Sequence, residues 1–243
     1  MKVVLLSAVA VFIMCPSARP QTSALVPAHG RLVPLFNGTD LAGFDTFLQK
    51  QGLNHDPDGV FQVKDGVLHI SGSEFGYVIT RGEFENYYLR AQFKWGTATY
   101  APRATQTRDS GILYHVIGPL KVWPRAIEFQ IQEGGTGDIW LVEGSQLTVR
   151  GKTVKQDWPC FDRFGKGPFR DITGYRDPVG EVERAHGEWN DLELIADHDR
   201  VTYLVNGKLV NQGDGANPAR GRILFQSEGA EVFFRNVELA PLK

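Results

Sequence analysis

The sequence predicts an all-β protein, a β-sandwich or jelly roll made of antiparallel sheets. No stretch combines the apolar period and the capping residues of a long amphipathic helix. Short apolar segments instead recur at close spacing along the 243 residues, separated by turn residues. In residues 127–132, apolar and polar residues alternate strictly, as in a strand with one packed and one polar face. Closely spaced strands of this kind are typical of sandwiches and jelly rolls.

Two hairpins are predicted from their turn residues. Asp65-Gly66 separates FQVK from VLHI, and Asn206-Gly207 separates a strand ending at residue 206 from one starting at Lys208. Asn, Asp and Gly tolerate positive φ, so both pairs predict type I′ turns between antiparallel strands. Further strands are predicted, in chain order, at residues 77–80, 87–95, 112–116, 127–132, 146–150, 189–196, 201–206, 208–211, 223–227 and 232–239.

Two connections lack a strand pattern. Residues 97–107 are rich in Thr and Ala and are predicted to be a loop that leads into the central strands. Residues 151–187 mix Gly, Pro, charge and aromatics without a sustained period. A connection this long inside a compact domain is usually functional or mobile, which predicts a loop near the binding face. A rigid insertion held by its aromatic side chains is the alternative.

The stretch from Asp109 to Trp140 is the best candidate for a binding face. In its second strand, Glu128 lies between apolar neighbours, so its carboxylate is predicted to point away from the core. In its first strand, His115 shares a face with Leu113, which predicts an imidazole within reach of Glu128. Polar groups beside tryptophans suit a sugar, whose ring stacks on indole while its hydroxyls need partners. The alternative is a half-exposed sheet with a hydrated polar face.

The composition and the N-terminal sequence predict where the protein is located and exclude some classes of partner. The formal net charge is −2 and no long basic run occurs, so nucleic acid is not expected as a partner. Met1-Lys2 and the apolar run to Cys15 predict a signal peptide over residues 1–24, too short for a transmembrane helix. A linker is expected at 25–31 and a single domain at 32–242. The mature chain would be periplasmic or extracellular.

Several catalytic classes are not supported by any motif. The run Gly134–Gly137 lacks the Lys-Ser/Thr of a phosphate loop, and no G-x-S-x-G elbow occurs. The 6 histidines have no paired spacing, so no transition-metal site is predicted, whereas a divalent cation such as calcium would leave little trace. Glycosidase chemistry with paired carboxylates is open, because acids follow Glu128 closely in sequence. Amides occupy the alternate positions of its own strand, and an amide cannot exchange a proton.

Several segments, taken together and in order, resemble the 3-keto-disaccharide hydrolase domain family. The likeness covers nearly all of residues 32–242, and residues 151–187 are its least typical part. The segments are LFNGTDLAGF (35–44), FQVKDGVLHI (61–70), DSGILYH (109–115), WPRAIEFQIQ (123–132), GDIW (137–140), GEWN (187–190), VNGK (205–208) and FFRNVEL (233–239).

The resemblance implies a concanavalin-A-like jelly-roll β-sandwich of two antiparallel sheets. It also implies export and action on glycosides already oxidised at C3 by a partner sugar 3-oxidoreductase. A C3 ketone acidifies the C2 proton, so a base can remove it, the enolate can expel the C1 substituent, and water can then add to the double bond. This chemistry requires one base, one acid and a stabiliser for the enolate.

Roles follow from side-chain chemistry and family position. Glu128 or His115 is expected to be the base, with the other as proton donor or orienting partner. Arg125 or Arg108 is expected near the developing oxyanion. Two other functions stay open: a carbohydrate-binding module without catalysis, and a conventional glycosidase with two carboxyl groups roughly 5 to 10 Å apart. Candidate contacts to hydroxyls and the sugar ring are Gln130, Asp138, Trp140 and Gln226.

Overall fold

The protein, seen in a computed structural model that describes residues 25–154 and 158–243, is built from β-strands. The predicted signal peptide, residues 1–24, lies outside the described residues. The described strands are β1 (Val33–Pro34), β2 (Phe44–Leu48), β3 (Gly52–Leu53), β4 (Phe61–Lys64), β5 (Val67–Ile70), β6 (Gly76–Thr80), β7 (Tyr87–Thr99), β8 (Asp109–Ile117), β9 (Arg125–Gln132), β10 (Ile139–Val142), β11 (Gln146–Val149), β12 (Lys152–Thr153), β13 (Cys160–Phe161), β14 (Asn190–Asp197), β15 (Arg200–Val205), β16 (Lys208–Asn217), β17 (Arg222–Ser227) and β18 (Ala230–Pro241).

The strands form two antiparallel sheets, which confirms the predicted fold class. The ten-stranded sheet has the order β12-β11-β16-β15-β14-β7-β18-β5-β4, with β1 also paired to β18. The eight-stranded sheet has the order β13-β10-β9-β8-β17-β6-β2-β3. Neighbours far apart in sequence, such as β8 and β17, are adjacent in the sheet. Chain connections that cross between two sheets are expected of a jelly roll.

The alternation in β9 determines which face of the eight-stranded sheet is packed. Ile127, Phe129 and Ile131 lie in the core with residues of the ten-stranded sheet. Their polar neighbours Glu128 and Gln130 therefore lie on the outer face of the eight-stranded sheet, because side chains alternate along a strand. The polar face that the sequence predicted thus becomes one wall of a site.

Both predicted hairpin turns are confirmed. Asp65 and Gly66 have φ values of 51° and 79°, and Asn206 and Gly207 have values of 50° and 77°. Positive φ at both central residues is the type I′ geometry. One strand limit differs from the prediction: β7 runs on to Thr99, three residues into the predicted loop, because its end pairs with β18 at Ala230.

The part of the long connection from residue 158 to residue 187 is attached to the sheet by buried polar contacts. The Arg163 guanidinium donates to Asp177 Oδ2 at 2.6 Å, and both side chains are fully buried. The Arg163 backbone N–H also donates to Asp138 Oδ1 at 2.8 Å, in the turn between β9 and β10. These contacts favour the rigid-insertion alternative over a mobile loop, since a buried ion pair must stay paired to be tolerated.

One acid in this segment predicts a dependence of stability on pH. Glu183 is buried. Its Oε2 accepts a hydrogen bond from the Trp95 indole N–H at 3.1 Å, and its Oε1 accepts one from the Thr136 hydroxyl. Burial raises the Glu183 pKa from 4.5 to about 8. Because the Glu183 pKa is higher in the folded protein, the protonated side chain contributes fully to the free energy of unfolding below about pH 4.5. That contribution is lost as the pH rises through 8.

We expect the free energy of unfolding of Glu183→Gln to fall less over that pH range than that of the wild type. The difference in slope should approach roughly 1.4 kcal/mol per pH unit. Urea unfolding at several pH values measures it, and Glu188→Gln, which changes an exposed acid directly after this segment, is the control. Equal slopes for all three proteins would contradict the assignment.

The segment before β1 contacts the domain. The Gly30 N–H donates to the Pro241 carbonyl at 2.8 Å, and the His29 ring lies 5.0 Å from that of Tyr88. Residues 29 and 30 of the predicted linker therefore lie against the end of β18. Among the described residues, no helix has the length and apolar character needed to cross a bilayer.

Candidate active site

The strand register orders the outer face of the eight-stranded sheet into rows. Glu128 in β9 pairs with Leu113 in β8 and with Trp140 in β10, which forms one row. The next row holds Gln130, opposite Gly111. The third row holds Gln132 opposite Asp109. Polarity therefore increases along the strands from the Glu128 row to the Asp109 row.

A cavity of about 260 Å³ opens on these rows. Its volume is slightly below the roughly 300 Å³ at which ligand pockets usually begin, so it suits a small ligand of about the size of a sugar ring. Among the described residues, those lining it are Arg103, Asp109, Leu113, Trp123, Glu128, Gln130, Gln132, Trp140, Val142, Trp158, Gln226 and Glu228.

Arg103 joins two carboxyl groups at the polar end of the cavity. Its Nη2 lies 2.5 Å from Asp109 Oδ2 and 2.7 Å from Glu228 Oε1. The Gln132 amide donates to the same Asp109 oxygen at 2.9 Å. With Glu128, the cavity thus contains three carboxyl groups and one guanidinium. All three cannot ionise together at low cost, because one cation compensates only one of them.

The pKa values of these acids follow from that imbalance. Burial raises the pKa of Glu128 well above its ordinary value, the charge of Glu228 raises it further, and a hydrogen bond with Gln226 opposes the rise. Burial also raises the pKa values of Asp109 and Glu228, while the Arg103 guanidinium opposes both. Burial and the excess of carboxyl groups therefore favour retention of a proton by the group. It can supply a base and a proton donor side by side.

Gly111 makes room for two of these side chains. A Cβ at this position would collide with the carboxylate of Glu128 and with the amide oxygen of Gln226. Both side chains therefore lie over the bare backbone of β8. Within the described chain, the buried Oε1 atoms of Gln130 and Gln226 and Oδ1 of Asp109 have no hydrogen-bond partner. They are acceptors that sugar hydroxyls could satisfy.

Four of the residues predicted from the sequence line the cavity together. They come from β9, β10 and β17, and β8 lies between β9 and β17 in the sheet. Glu128 is only 6% exposed, as expected for a group whose pKa is set by burial. The four residues are Glu128, Gln130, Trp140 and Gln226.

His115 does not join them, so the predicted pairing of its imidazole with Glu128 is wrong. The register of β8 and β9 shifts between Tyr114 and Ile117, and His115 has a φ of 53°. This bulge turns the ring inward. It lies edge-on to Tyr87 and Tyr114 and its Nδ1 is 3.1 Å from the Pro218 carbonyl. Burial lowers its pKa to about 4, so it is neutral near pH 7.

The two arginines expected near an oxyanion also lie elsewhere. Arg108 donates from Nη1 to Glu133 Oε1 at 2.8 Å and from its backbone to the other oxygen at 2.9 Å. Arg125 reaches Asn217 Oδ1 at 3.3 Å. Neither side chain lines the cavity. Side-chain chemistry and family position suggested them for the site, but their long side chains extend to partners beyond it.

Asp138 has a structural role in place of the predicted substrate contact. Its carboxylate accepts the Arg163 backbone N–H and pairs with the Lys166 ammonium. Asp138, Cys160 and Asp162 are the one group of possible metal ligands among the described residues. Lys166 also lies 2.9 Å from Asp162 Oδ1, so its ammonium pairs with both carboxylates. This donor set fits an ion pair better than a calcium site, which needs six or more oxygens.

Sequence reasoning missed Arg103, Asp109 and Glu228 as site residues. Alternation could have found the two acids: Asp109 lies two residues before Gly111, and Glu228 two residues after Gln226. Arg103 left no such signal, because it lies in the aperiodic segment between β7 and β8. Only the fold places that segment beside the end of β17.

Comparison with known proteins agrees with this class of fold. A "putative glycosyl hydrolase" from Parabacteroides distasonis aligns with a TM-score of 0.56 at 23% identity, covering 87% of this chain and 94% of that one. A protein of unknown function with a galectin-like fold from Bacillus subtilis aligns at 0.53 with 12% identity, covering 90% and 100%. The β-glucanase of Bacillus licheniformis aligns at 0.50 with 9% identity, covering 88% and 99%. No curated protein matches the chain.

The fold is that of a jelly roll, and the family model that matches the chain makes it a carbohydrate-active protein. Its family is narrower than that class. The chain belongs to the 3-keto-alpha-glucoside-1,2-lyase-like domain family, whose profile matches residues 31–240. The family resemblance drawn from the sequence segments is thereby confirmed.

Proposed function

We propose that this protein is an exported enzyme that cleaves the glycosidic bond of 3-keto-glycosides by elimination followed by hydration. Family membership supports the substrate class, and the placement of Glu128 supports the chemistry. Glu128 is a buried carboxyl group at the centre of a sugar-sized cavity, with a raised pKa and an amide neighbour. A raised pKa makes a carboxylate a stronger base, which general-base catalysis uses. The predicted signal peptide at residues 1–24 supports export.

The reaction begins with removal of the C2 proton by the Glu128 carboxylate. The electrons of the C2–H bond form an enolate whose charge rests on the C3 oxygen. As the enolate collapses, the C1–O bond breaks and the departing oxygen takes up a proton, which leaves a C1=C2 double bond conjugated to the ketone. Water then adds its oxygen to C1 while a proton returns to C2. The net reaction is hydrolysis.

The carboxyl pair held by Arg103 supplies the second function. Asp109 and Glu228 share one guanidinium, and burial favours retention of a proton by the pair. A protonated carboxyl group in such a site donates a hydrogen bond to a developing oxyanion. The pair therefore stabilises the C3 oxygen while Glu128 takes the proton from C2. This replaces the role that the sequence suggested for Arg108 or Arg125.

A substrate screen tests the proposal. We expect purified protein to cleave a 3-keto-disaccharide and to leave the same disaccharide intact when it is not oxidised. Deuterium at C2 should slow the reaction, because the C2–H bond breaks in the elimination. A parallel reaction with a chelator tests whether a divalent cation such as calcium contributes. Since the substrate must be oxidised first, a sugar 3-oxidoreductase is the expected functional partner.

A conventional glycosidase is the second candidate, because the cavity offers carboxyl partners to Glu128. The charge of Glu228 acts on Glu128, so the two groups lie near each other in the cavity. Two facing carboxyl groups are what an ordinary glycosidase requires. Cleavage of the unoxidised disaccharide would favour this function. Binding without cleavage of either sugar would favour a carbohydrate-binding module.

A further inference from the structure

The cavity has a polar half and an apolar half, and Glu128 lies on the boundary between them. On one side of its row the strands carry Gln130 and then Asp109, with Arg103 beyond. On the other side the next residues facing outward are Ala126 in β9 and Val142 in β10, which pair with each other. The change from amides and carboxylates to aliphatic groups thus occurs at the catalytic base.

The apolar half is the edge of a buried apolar cluster. Leu113 and Val142 line the cavity and belong to a cluster with Val116, Ala126 and other buried apolar side chains of the same face. Trp123, from the connection between β8 and β9, is partly buried against this cluster and also lines the cavity. Its ring lies 6.1 Å from that of Phe75, so the indole is supported from a second direction.

The two halves of the cavity correspond to the two parts of the substrate, the oxidised sugar and the leaving group. In the proposed reaction Glu128 acts at C2, and the leaving group is attached to the neighbouring carbon, C1. The ketone and the remaining hydroxyls need donors and acceptors, which the Asp109 side of the cavity provides. The leaving group then lies over Leu113 and Val142, beside Trp123.

We propose that the apolar half binds an apolar, ring-containing aglycone, so the preferred substrates are 3-keto-glycosides of apolar alcohols. This inference rests on the proposed function and specifies its substrate class. A second sugar ring would place hydroxyls against Leu113 and Val142, where aliphatic side chains provide no hydrogen bonds and each buried hydroxyl is penalised. An apolar ring of the same size gains from burial against the same surface.

Two substrates matched in size and in leaving-group type test the proposal. One is the 6-linked 3-keto-glucosyl-glucose, and the other is cyclohexylmethyl 3-keto-glucoside; both release a primary alcohol attached to a six-membered ring. We expect kcat/KM for the cyclohexylmethyl substrate to be at least about tenfold higher, from the burial of several CH₂ groups. A kcat/KM that is equal, or higher for the disaccharide, overturns the proposal.

Two tryptophan variants test whether the apolar half of the cavity causes the substrate preference. Trp123→Ala should reduce the preference for the cyclohexylmethyl substrate about fivefold or more, with a smaller effect on the disaccharide. Trp189→Ala is the matched control, because Trp189 does not line the cavity and its ring lies 4.0 Å from the guanidinium of Arg235 in β18. This control should keep the wild-type preference. An unchanged preference in Trp123→Ala overturns the assignment of the apolar half.

A binding measurement separates failure of this inference from failure of the proposed function. If neither 3-keto substrate is cleaved, the proposed function is wrong. Calorimetry with the unoxidised cyclohexylmethyl glucoside and the unoxidised 6-linked disaccharide then decides the inference alone. Tighter binding of the cyclohexylmethyl compound that is lost in Trp123→Ala supports an apolar subsite. Equal affinity for the two compounds overturns it.

Discussion

Replacement of Glu128 by glutamine is expected to abolish measurable turnover of a 3-keto-glycoside and to leave the fold intact. The amide is nearly isosteric with the carboxyl group but cannot take the C2 proton, and positioned general bases contribute roughly 10²- to 10⁴-fold to a rate. Stability should not fall, because the substitution removes an acid whose ionisation is opposed by burial. Initial rates and thermal unfolding on the same preparation measure both effects.

The control for this substitution is Glu143→Gln. Glu143 is exposed, follows β10 directly and pairs with Lys121 at 2.7 Å, outside the cavity lining. It should retain wild-type kcat/KM. Wild-type activity in Glu128→Gln would remove Glu128 from the mechanism. Loss of activity in both variants would point to a general effect of removing negative charge.

Replacement of Arg163 by methionine is expected to destabilise the protein by about 3 kcal/mol or more. Arg163 and Asp177 form an ion pair with no solvent exposure, and removing one partner leaves the other charge buried without compensation. Asp177 keeps backbone donors from Gly167 and Val179, at 2.9 Å each, which places the expected loss at the lower end of the usual range. Urea unfolding followed by intrinsic fluorescence measures the change.

The matched control is Arg200→Met. Arg200 pairs with Asp214 at 2.9 Å, but both side chains are mostly exposed, at 69% and 65%. Solvent screens such a pair, so the loss should stay below about 1 kcal/mol. If the two variants lost similar stability, the buried pair would not be what holds residues 158–187 against the turn between β9 and β10.

Elements with a local signal were predictable. The alternation in β9 identified the outward position of Glu128 and Gln130, because the side-chain period of a strand is independent of its neighbours. The turn at Asp65-Gly66 was also predictable, since positive φ depends on the residue types in the turn. Both features require only a few consecutive residues, and both were present in the structure.

His115 shows where such reasoning fails. Its alternation with Leu113 was correct as a pattern, but one extra residue in β8 relative to β9 reverses the direction of every side chain beyond it. A bulge depends on how two strands pair, and the pairing involves segments that are not adjacent in sequence. Arg103 and Glu228 illustrate the same limit, because they are 125 residues apart and meet through one ion pair.

The amino-acid sequence by itself determined the all-β class, the hairpins, the outward face of β9 and the family, because each depends on local patterns or on residue identity at ordered positions. Only the tertiary structure decided which acids share a cavity with Glu128, that His115 turns into the core, and that the cavity is divided into polar and apolar halves. Those outcomes depend on register and on long-range pairing between β8, β9 and β17. The physical reason is that a carboxyl group acquires its pKa, its partners and its reactivity from groups packed around it in space.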